Sequence, residues 1–161
     1  MPPMATHYAS PEGFVTDRQI AYYLERARGG VGYITVEHTG ILQQGKASPK
    51  MLLISSDEHA SRIEKLIEAV HKAGGKIVVQ INHAGRQTSS TVTGSPIVGP
   101  SPIPCPTRTE IPRELSGPEI QEITEAFAVA AGRVKNVGAD GVELHMAHGY
   151  LICSFLSPFS N

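Results

Sequence analysis

Gly138-Ala139-Asp140-Gly141-Val142-Glu143-Leu144-His145-Met146-Ala147-His148-Gly149-Tyr150 is the stretch that decides the fold. A glycine stops a helix, a short apolar strand follows at Gly141-Val142-Glu143-Leu144, and a cluster of polar rings stands at the strand's end. Upstream, Ser116-Gly117-Pro118-Glu119 has capping-box spacing and an early proline. Ile120, Ile123, Phe127, Ala131 and Val134 then recur at helical spacing up to Gly138. Downstream, a further helix is expected from near Gly149, carrying Leu151, Ile152, Phe155 and Leu156.

The same unit occurs twice more. Thr16 is an N-cap candidate for a helix to Arg28, with Ile20, Tyr23, Leu24 and Ala27 on its apolar stripe. Gly29 and Gly30 end it, and the strand Tyr33-Ile34-Thr35-Val36 runs into Glu37 and His38. Ser55 and Glu58 are spaced as a second capping box, and Ile63, Leu66, Ile67 and Val70 make that helix's apolar face. After Gly74 and Gly75 comes the strand Lys76-Ile77-Val78-Val79, ending in Gln80, Asn82 and His83. These strands are apolar on successive residues, as parallel strands covered on both faces are. Alternating with helices, they predict an α/β chain with a parallel sheet. Two strand-to-helix connections are long, Gly40 to Ile54 and Ala84 to Leu115, and long loops of this kind are usually functional. The second is rich in proline and serine and reads as ordered but irregular.

Composition narrows the function classes. The 161 residues carry 14 Lys+Arg against 15 Asp+Glu, a net charge of -1, with 40% hydrophobic and 18% charged residues. That is a globular balance, without the basic footprint that nucleic acid or an acidic membrane surface would demand. Two cysteines, Cys105 and Cys153, cannot build a disulfide framework or a four-thiolate metal site. The uncharged run from Leu144 to Asn161 contains His145, His148 and Pro158 and does not read as a membrane span. No basic-then-apolar signal opens the chain, so a cytoplasmic location is expected.

Polar residues gather where strands end: Glu37 and His38, Gln80 to His83, then His145, His148 and Tyr150. In parallel α/β folds that edge carries the active site. One such histidine alone would more often satisfy buried backbone groups, but three strands ending alike favour function. His145 and His148 could bind a metal if His83 or Glu143 joined them. Alternatively, two imidazoles donate to a developing oxyanion while the Tyr150 hydroxyl serves as proton donor. A phenol's high pKa restricts it to strongly basic acceptors such as a carbanion or enolate. Glycine-rich phosphate motifs are absent, since Gly29-Gly30-Val31-Gly32 precedes a strand instead of following one.

Three segments, in order, carry a resemblance: Pro2-Pro3-Met4-Ala5-Thr6; Gln80-Ile81-Asn82-His83-Ala84-Gly85-Arg86; and Glu143-Leu144-His145-Met146-Ala147-His148-Gly149-Tyr150-Leu151-Ile152 followed by Phe155-Leu156-Ser157-Pro158. Together they resemble the Old Yellow Enzyme family of FMN-dependent oxidoreductases, in particular its 2,4-dienoyl-CoA reductase and enoate reductase-like branch. The resemblance implies a (β/α)8 TIM barrel, here only about its first half: strands one to four with their intervening helices, starting at the end of strand one (Met1 to Met4). Residues 1–161 are thus expected to be one partial FMN-binding domain, because such a barrel takes about 250 residues.

The resemblance also implies roles. Pro2, Pro3, Met4 and Ala5 would contact the flavin mainly through backbone, and flavin tuning would rest on that backbone or on Thr6, because Ala5 has no polar side chain. His38 would stand beside the flavin where relatives often carry a small residue. Gln80 would hydrogen-bond the pyrimidine edge, and Arg86 would support. His145 and His148 would hold the substrate's carbonyl oxygen, Tyr150 would donate the proton, and His7 would contact substrate. No metal is implied. The electron donor would be NADH or NADPH, and the substrate a small α,β-unsaturated carbonyl or thioester. Any iron–sulfur cluster or FAD of the larger relatives would belong to a C-terminal part beyond these residues. The alternatives are an amine-oxidising or demethylating flavoenzyme of the same family and a non-catalytic half-barrel module. Formation of a homo-oligomer is left open.

Overall fold

A computed structural model describes all residues, 1–161. Its elements run α1 (Asp17–Arg28), β1 (Ile34–Gly40), a 3-10 turn (Gln43–Gly45), β2 (Leu52–Leu53), α2 (Asp57–Lys72), β3 (Ile77–Asn82), α3 (Ser90–Thr93), β4 (Val98–Gly99), β5 (Arg113–Glu114), α4 (Gly117–Asn136), β6 (Gly141–Leu144) and α5 (Leu151–Leu156). The main sheet has the order β2-β1-β3-β6, and every pairing in it is parallel. Helices α2 and α4 pack on it, and α1 packs against α2 and β1. This is the first half of a β/α barrel.

The core follows from the apolar spacing. Ile63, Leu66, Ile67 and Val70 of α2 are sealed against Ile34, Val36, Ile77, Val79 and Ile81 of the strands. Helix α4 buries Ile123, Ala130 and Val134. Its Ile120 and Phe127 instead border an apolar groove with Leu144 of β6 and Leu151, Ile152 and Phe155 of α5. No helix is long and apolar enough to cross a membrane.

Several expectations need correction. The inward line of α1 is Gln19, Tyr23 and Ala27, with Ile20 and Leu24 only half-buried. The polar Gln19 displaces the apolar stripe because a buried acceptor, Glu37, awaits its amide. Helix α2 is capped by Ser56, which accepts from His59 N–H at 3.3 Å, and not by Ser55. At α4 the Ser116–Glu119 pairing forms as expected, Ser116 N–H donating to the Glu119 carboxylate at 2.9 Å. Met1 to Met4 form no regular strand, yet Met1 stays beside β1, its carbonyl accepting from Thr35 N–H at 3.0 Å.

Strands β1 and β3 continue through their polar ends to Gly40 and Asn82, because the backbone ladder persists after the apolar run stops. The Gly40–Ile54 connection contributes β2 to the sheet edge. The 84–115 connection is less irregular than its composition suggests: it holds α3 and a small parallel ladder, Val98 opposite Arg113 and Gly99 opposite Glu114.

The ladder between β1 and β3 is irregular at its polar end. The two strands pair with Val36 opposite Val79, then resume with Thr39 opposite Ile81. Two residues of β1, Glu37 and His38, therefore face one residue of β3, Gln80. Such a bulge re-aims side chains and is common beside active sites.

Candidate active site

At the C-terminal ends of β1, β3 and β6 a cleft is lined by Pro3, Ala5, His38, Gln80, His145, His148 and Tyr150. Each arrives for a local reason. Pro3 and Ala5 are alternate residues of the extended N-terminal segment, whose intervening Met4 is exposed. Pro2 is also exposed and stands outside the cleft lining. The segment is fixed through Thr6, whose backbone N–H and hydroxyl donate to the buried Glu37 carboxylate at 2.7 and 2.6 Å. Gln19 also donates to Glu37, and the Tyr23 hydroxyl, which accepts from Glu37 N–H at 2.9 Å, lies 3.4 Å from the same carboxylate. The Thr6 side chain is thus committed to Glu37 and is not part of the cleft lining.

The bulge sends Glu37 toward α1 and His38 into the cleft. Gln80 is opposite Glu143 in the sheet and donates to it from Nε2 at 2.6 Å, leaving Oε1 as its open acceptor. His145 follows β6, where its backbone N–H continues the ladder to Ile81 C=O at 3.0 Å. His148 and Gly149 turn the chain with φ of 58° and 76°, and Tyr150 occupies the N-cap of α5. His148 and His7 are the only non-glycine residues with positive φ, a sparsely populated conformation that clusters at functional sites.

The four rings form one cluster. His145 lies 4.8 Å from Tyr150 and 5.1 Å from His148 between centroids, and His38 lies 5.5 Å from Tyr150 and 6.2 Å from His145. The Nδ1 of His145 accepts from Ala147 N–H at 3.3 Å, so in the neutral ring the proton sits on Nε2. Burial, and secondarily His148, hold the His145 pKa below its usual value. Burial raises the Tyr150 pKa, against a smaller opposing effect of Arg108, so the phenol keeps its proton. No Asp, Glu, Lys or Arg lines the cleft.

His7 is exposed and borders a neighbouring turn, with Nδ1 3.3 Å from Ser48 Oγ, so it is not brought into the cleft. Arg86 is buried and donates to the carbonyls of Ile103 and Pro104, both at 3.0 Å, which tethers the long connection. His83 does not join the other histidines. Its Nδ1 accepts from Gly85 N–H at 3.1 Å, and a Cβ on Gly45 would stand only 2.7 Å from its ring. No three potential metal-ligating side chains converge, so the donor set for the metal reading is not assembled. The sequence alone does not single out Gln19, Tyr23 or Asn82 for the site. The first two are helical positions with no motif, and Asn82 reads only as part of a polar strand end.

The model of the NADH:flavin oxidoreductase / NADH oxidase family matches residues 1–161. The chain belongs to this family. It is 48% identical over its whole length to an NADH oxidase of Thermoanaerobacter brockii, of which it covers 25%. Among solved structures it is similar to an Old Yellow Enzyme homologue from Zymomonas mobilis, with 32% identity and a TM-score of 0.89 over 100% of this chain and 47% of that one. It also matches 2-naphthoyl-CoA reductase in complex with 2-naphthoyl-CoA, with 30% identity and a TM-score of 0.94 over 99% of this chain and 26% of that one. The chain therefore spans between a quarter and half of the length of these proteins, and its fold is that of the first half of their barrel.

Proposed function

We propose that this chain supplies the flavin-ring cleft and the substrate-oxygen site of an FMN-dependent, NAD(P)H-driven reductase of activated C=C bonds. The observation that carries the reading is the Tyr150 ring packed 4.8 Å from the His145 imidazole, whose Nδ1 is engaged by Ala147 N–H and whose Nε2 is left to donate. The cleft also fits a flavin chemically. Pro3 and Ala5 offer an apolar wall for a planar ring, and Gln80 Oε1 offers an acceptor for the N–H of its pyrimidine edge. FMN, when bound, would supply the hydride chemistry, with NADH or NADPH as the source of electrons.

The chain's own residues account for the other half of the reaction. The His145 Nε2–H, with His148 beside it, holds the carbonyl oxygen of the substrate and stabilises charge that develops there. Tyr150 holds a proton for the α-carbon, which becomes basic enough to take it from a phenol only as enolate character develops. The His145 and His148 pair, which can donate to an oxygen, favours a carbonyl or thioester over the amine of a demethylating relative. The thioester bound by the naphthoyl-CoA reductase belongs to the same class.

The test is FMN binding, followed by separated half-reactions, with Tyr150→Phe. Flavin fluorescence should be quenched on binding. The variant should leave flavin reduction by NADPH intact and slow reduction of an enone by about 100-fold. Failure of the protein to bind FMN at millimolar flavin would overturn the reading in favour of a non-catalytic module. Equal loss in both half-reactions would remove Tyr150 as the proton donor.

A further inference from the structure

His38 and Asn82 meet across the bulge that separates the ends of β1 and β3. Asn82 is completely buried, and its Nδ2 lies 3.2 Å from His38 Nδ1. With Nδ2 on that side the amide NH₂ donates and Nδ1 accepts, which leaves the proton of a neutral imidazole on Nε2, while Asn82 Oδ1 is buried without a partner. Nε2 is on the far edge of the ring from Asn82. It makes no hydrogen bond within the protein, and it is not among the sealed, unpartnered polar atoms. It therefore opens to the cleft that His38 lines.

We propose that Asn82 is a positioning residue that fixes His38 as its Nε2–H tautomer, so that His38 presents an N–H donor to an anionic or carbonyl oxygen in the cleft. This rests on the reading of the cleft as a ligand site, and it adds a third imidazole donor beside the His145 and His148 pair, with the His38 ring 6.2 Å from that of His145. Burial, then repulsion from His145, His7 and His148, lowers the His38 pKa to about 4, so the ring stays neutral at physiological pH and its tautomer is meaningful. His145 is arranged on the same plan, with Ala147 N–H in the part that Asn82 plays for His38. Two strands thus end in imidazoles that are each held at Nδ1 by a donor and left free at Nε2.

The experiment needs no bound flavin. The ring nitrogens of His38 are assigned by ¹⁵N NMR of the purified protein, using His38→Ala to identify its signals. A pyridine-type Nδ1 and a protonated Nε2 are expected at neutral pH. Asn82→Asp replaces the donor by an acceptor and should invert the pattern. A protonated Nδ1 in the unsubstituted protein overturns the assignment, whatever the variant does. The donor role is read by titrating the protein with 4-nitrophenolate and following the probe's own absorbance. His38→Ala should weaken that binding about tenfold, the loss of one charge-assisted hydrogen bond. An unchanged affinity, or no binding to the unsubstituted protein, overturns the donor role. A protein that fails to bind FMN but shows the expected tautomer and probe binding would refute the proposed reaction and leave the His38 assignment standing.

Discussion

Replacing Glu37 with alanine removes an acceptor on which the floor of the cleft depends. Four donors converge on its carboxylate: Thr6 N–H, the Thr6 hydroxyl, the Gln19 amide and, at the longer distance of 3.4 Å, the Tyr23 hydroxyl. In each of these bonds the carboxylate accepts, which suits an acceptor-only group. Gln19 and Tyr23 are both completely buried and have no route to water once the carboxylate is gone. A buried donor left unpaired costs about 1–3 kcal/mol, and a bond to a charged acceptor is at the upper end. Thr6 is only half-buried and regains water, so its two bonds cost less. The lost side-chain packing adds to this, and Glu37→Ala should destabilise the protein by about 4 kcal/mol.

Glu37→Gln keeps the shape but turns an NH₂ group against donors and should cost about 2 kcal/mol. Urea unfolding followed by circular dichroism measures both, provided that the slope of free energy against urea is unchanged. A cycle with Thr6→Val isolates the link to the N-terminal segment and should give a coupling of about 1–2 kcal/mol. A loss below about 1 kcal/mol for Glu37→Ala, the range of an ordinary surface change, would refute the claim that this carboxylate organises the segment.

Asp140 accepts from Ile77 N–H and Lys76 Nζ at 2.8 and 2.9 Å, and these bonds, in that order, push its pKa well below the usual carboxylate value. A lowered folded-state pKa contributes stability that is complete above the unfolded value near 4 and lost as pH falls through the folded one. Asp140→Asn should therefore lower stability at neutral pH and flatten the acid limb of a stability–pH curve below about pH 4. Gly85 has φ of 59°, and a Cβ there would stand 3.0 Å from Leu151 Cα. Gly85→Ala should cost about 2–3 kcal/mol in urea unfolding, from the left-handed conformation and the backbone clash together, and should shift the start of α5 that carries Tyr150.

The helices, their glycine stops and the parallel strands were legible because each depends on local spacing. Ile63, Leu66, Ile67 and Val70 announce α2 and its buried face without reference to anything else. Gln19 was not legible, because a glutamine on an apolar stripe becomes core only when a carboxylate from another element faces it. The bulge at Glu37 and His38 was hidden for a related reason. Register is a property of two strands, and the polar Glu37 and His38 mark a strand end without showing that two residues of β1 face one of β3. Among the site residues, His145, His148, Tyr150, Gln80 and His38 share the cleft, whereas His7 belongs to the turn near Ser48. Pro3 and Ala5 line the cleft while Pro2 and Met4 do not, a choice of face that a segment without helical or strand periodicity does not announce.

The neutrality of the cleft has a chemical consequence under the proposed reaction. An imidazolium would bind a developing oxyanion more strongly than a neutral ring, but it would also be an acid far stronger than a phenol. Such a group beside the substrate could deliver a proton to the oxygen and compete with Tyr150 for control of the outcome. Burial lowers the His38 pKa to about 4 and holds that of His145 below its usual value, which favours the neutral rings, whose Nε2–H groups stabilise charge by hydrogen bonding. Burial acts in the opposite sense on the phenol and keeps the Tyr150 proton in place until a carbon basic enough to remove it is present. One physical cause, desolvation, thus acts in opposite senses on the two kinds of ring: it favours the neutral form of His38 and His145 and the protonated form of Tyr150.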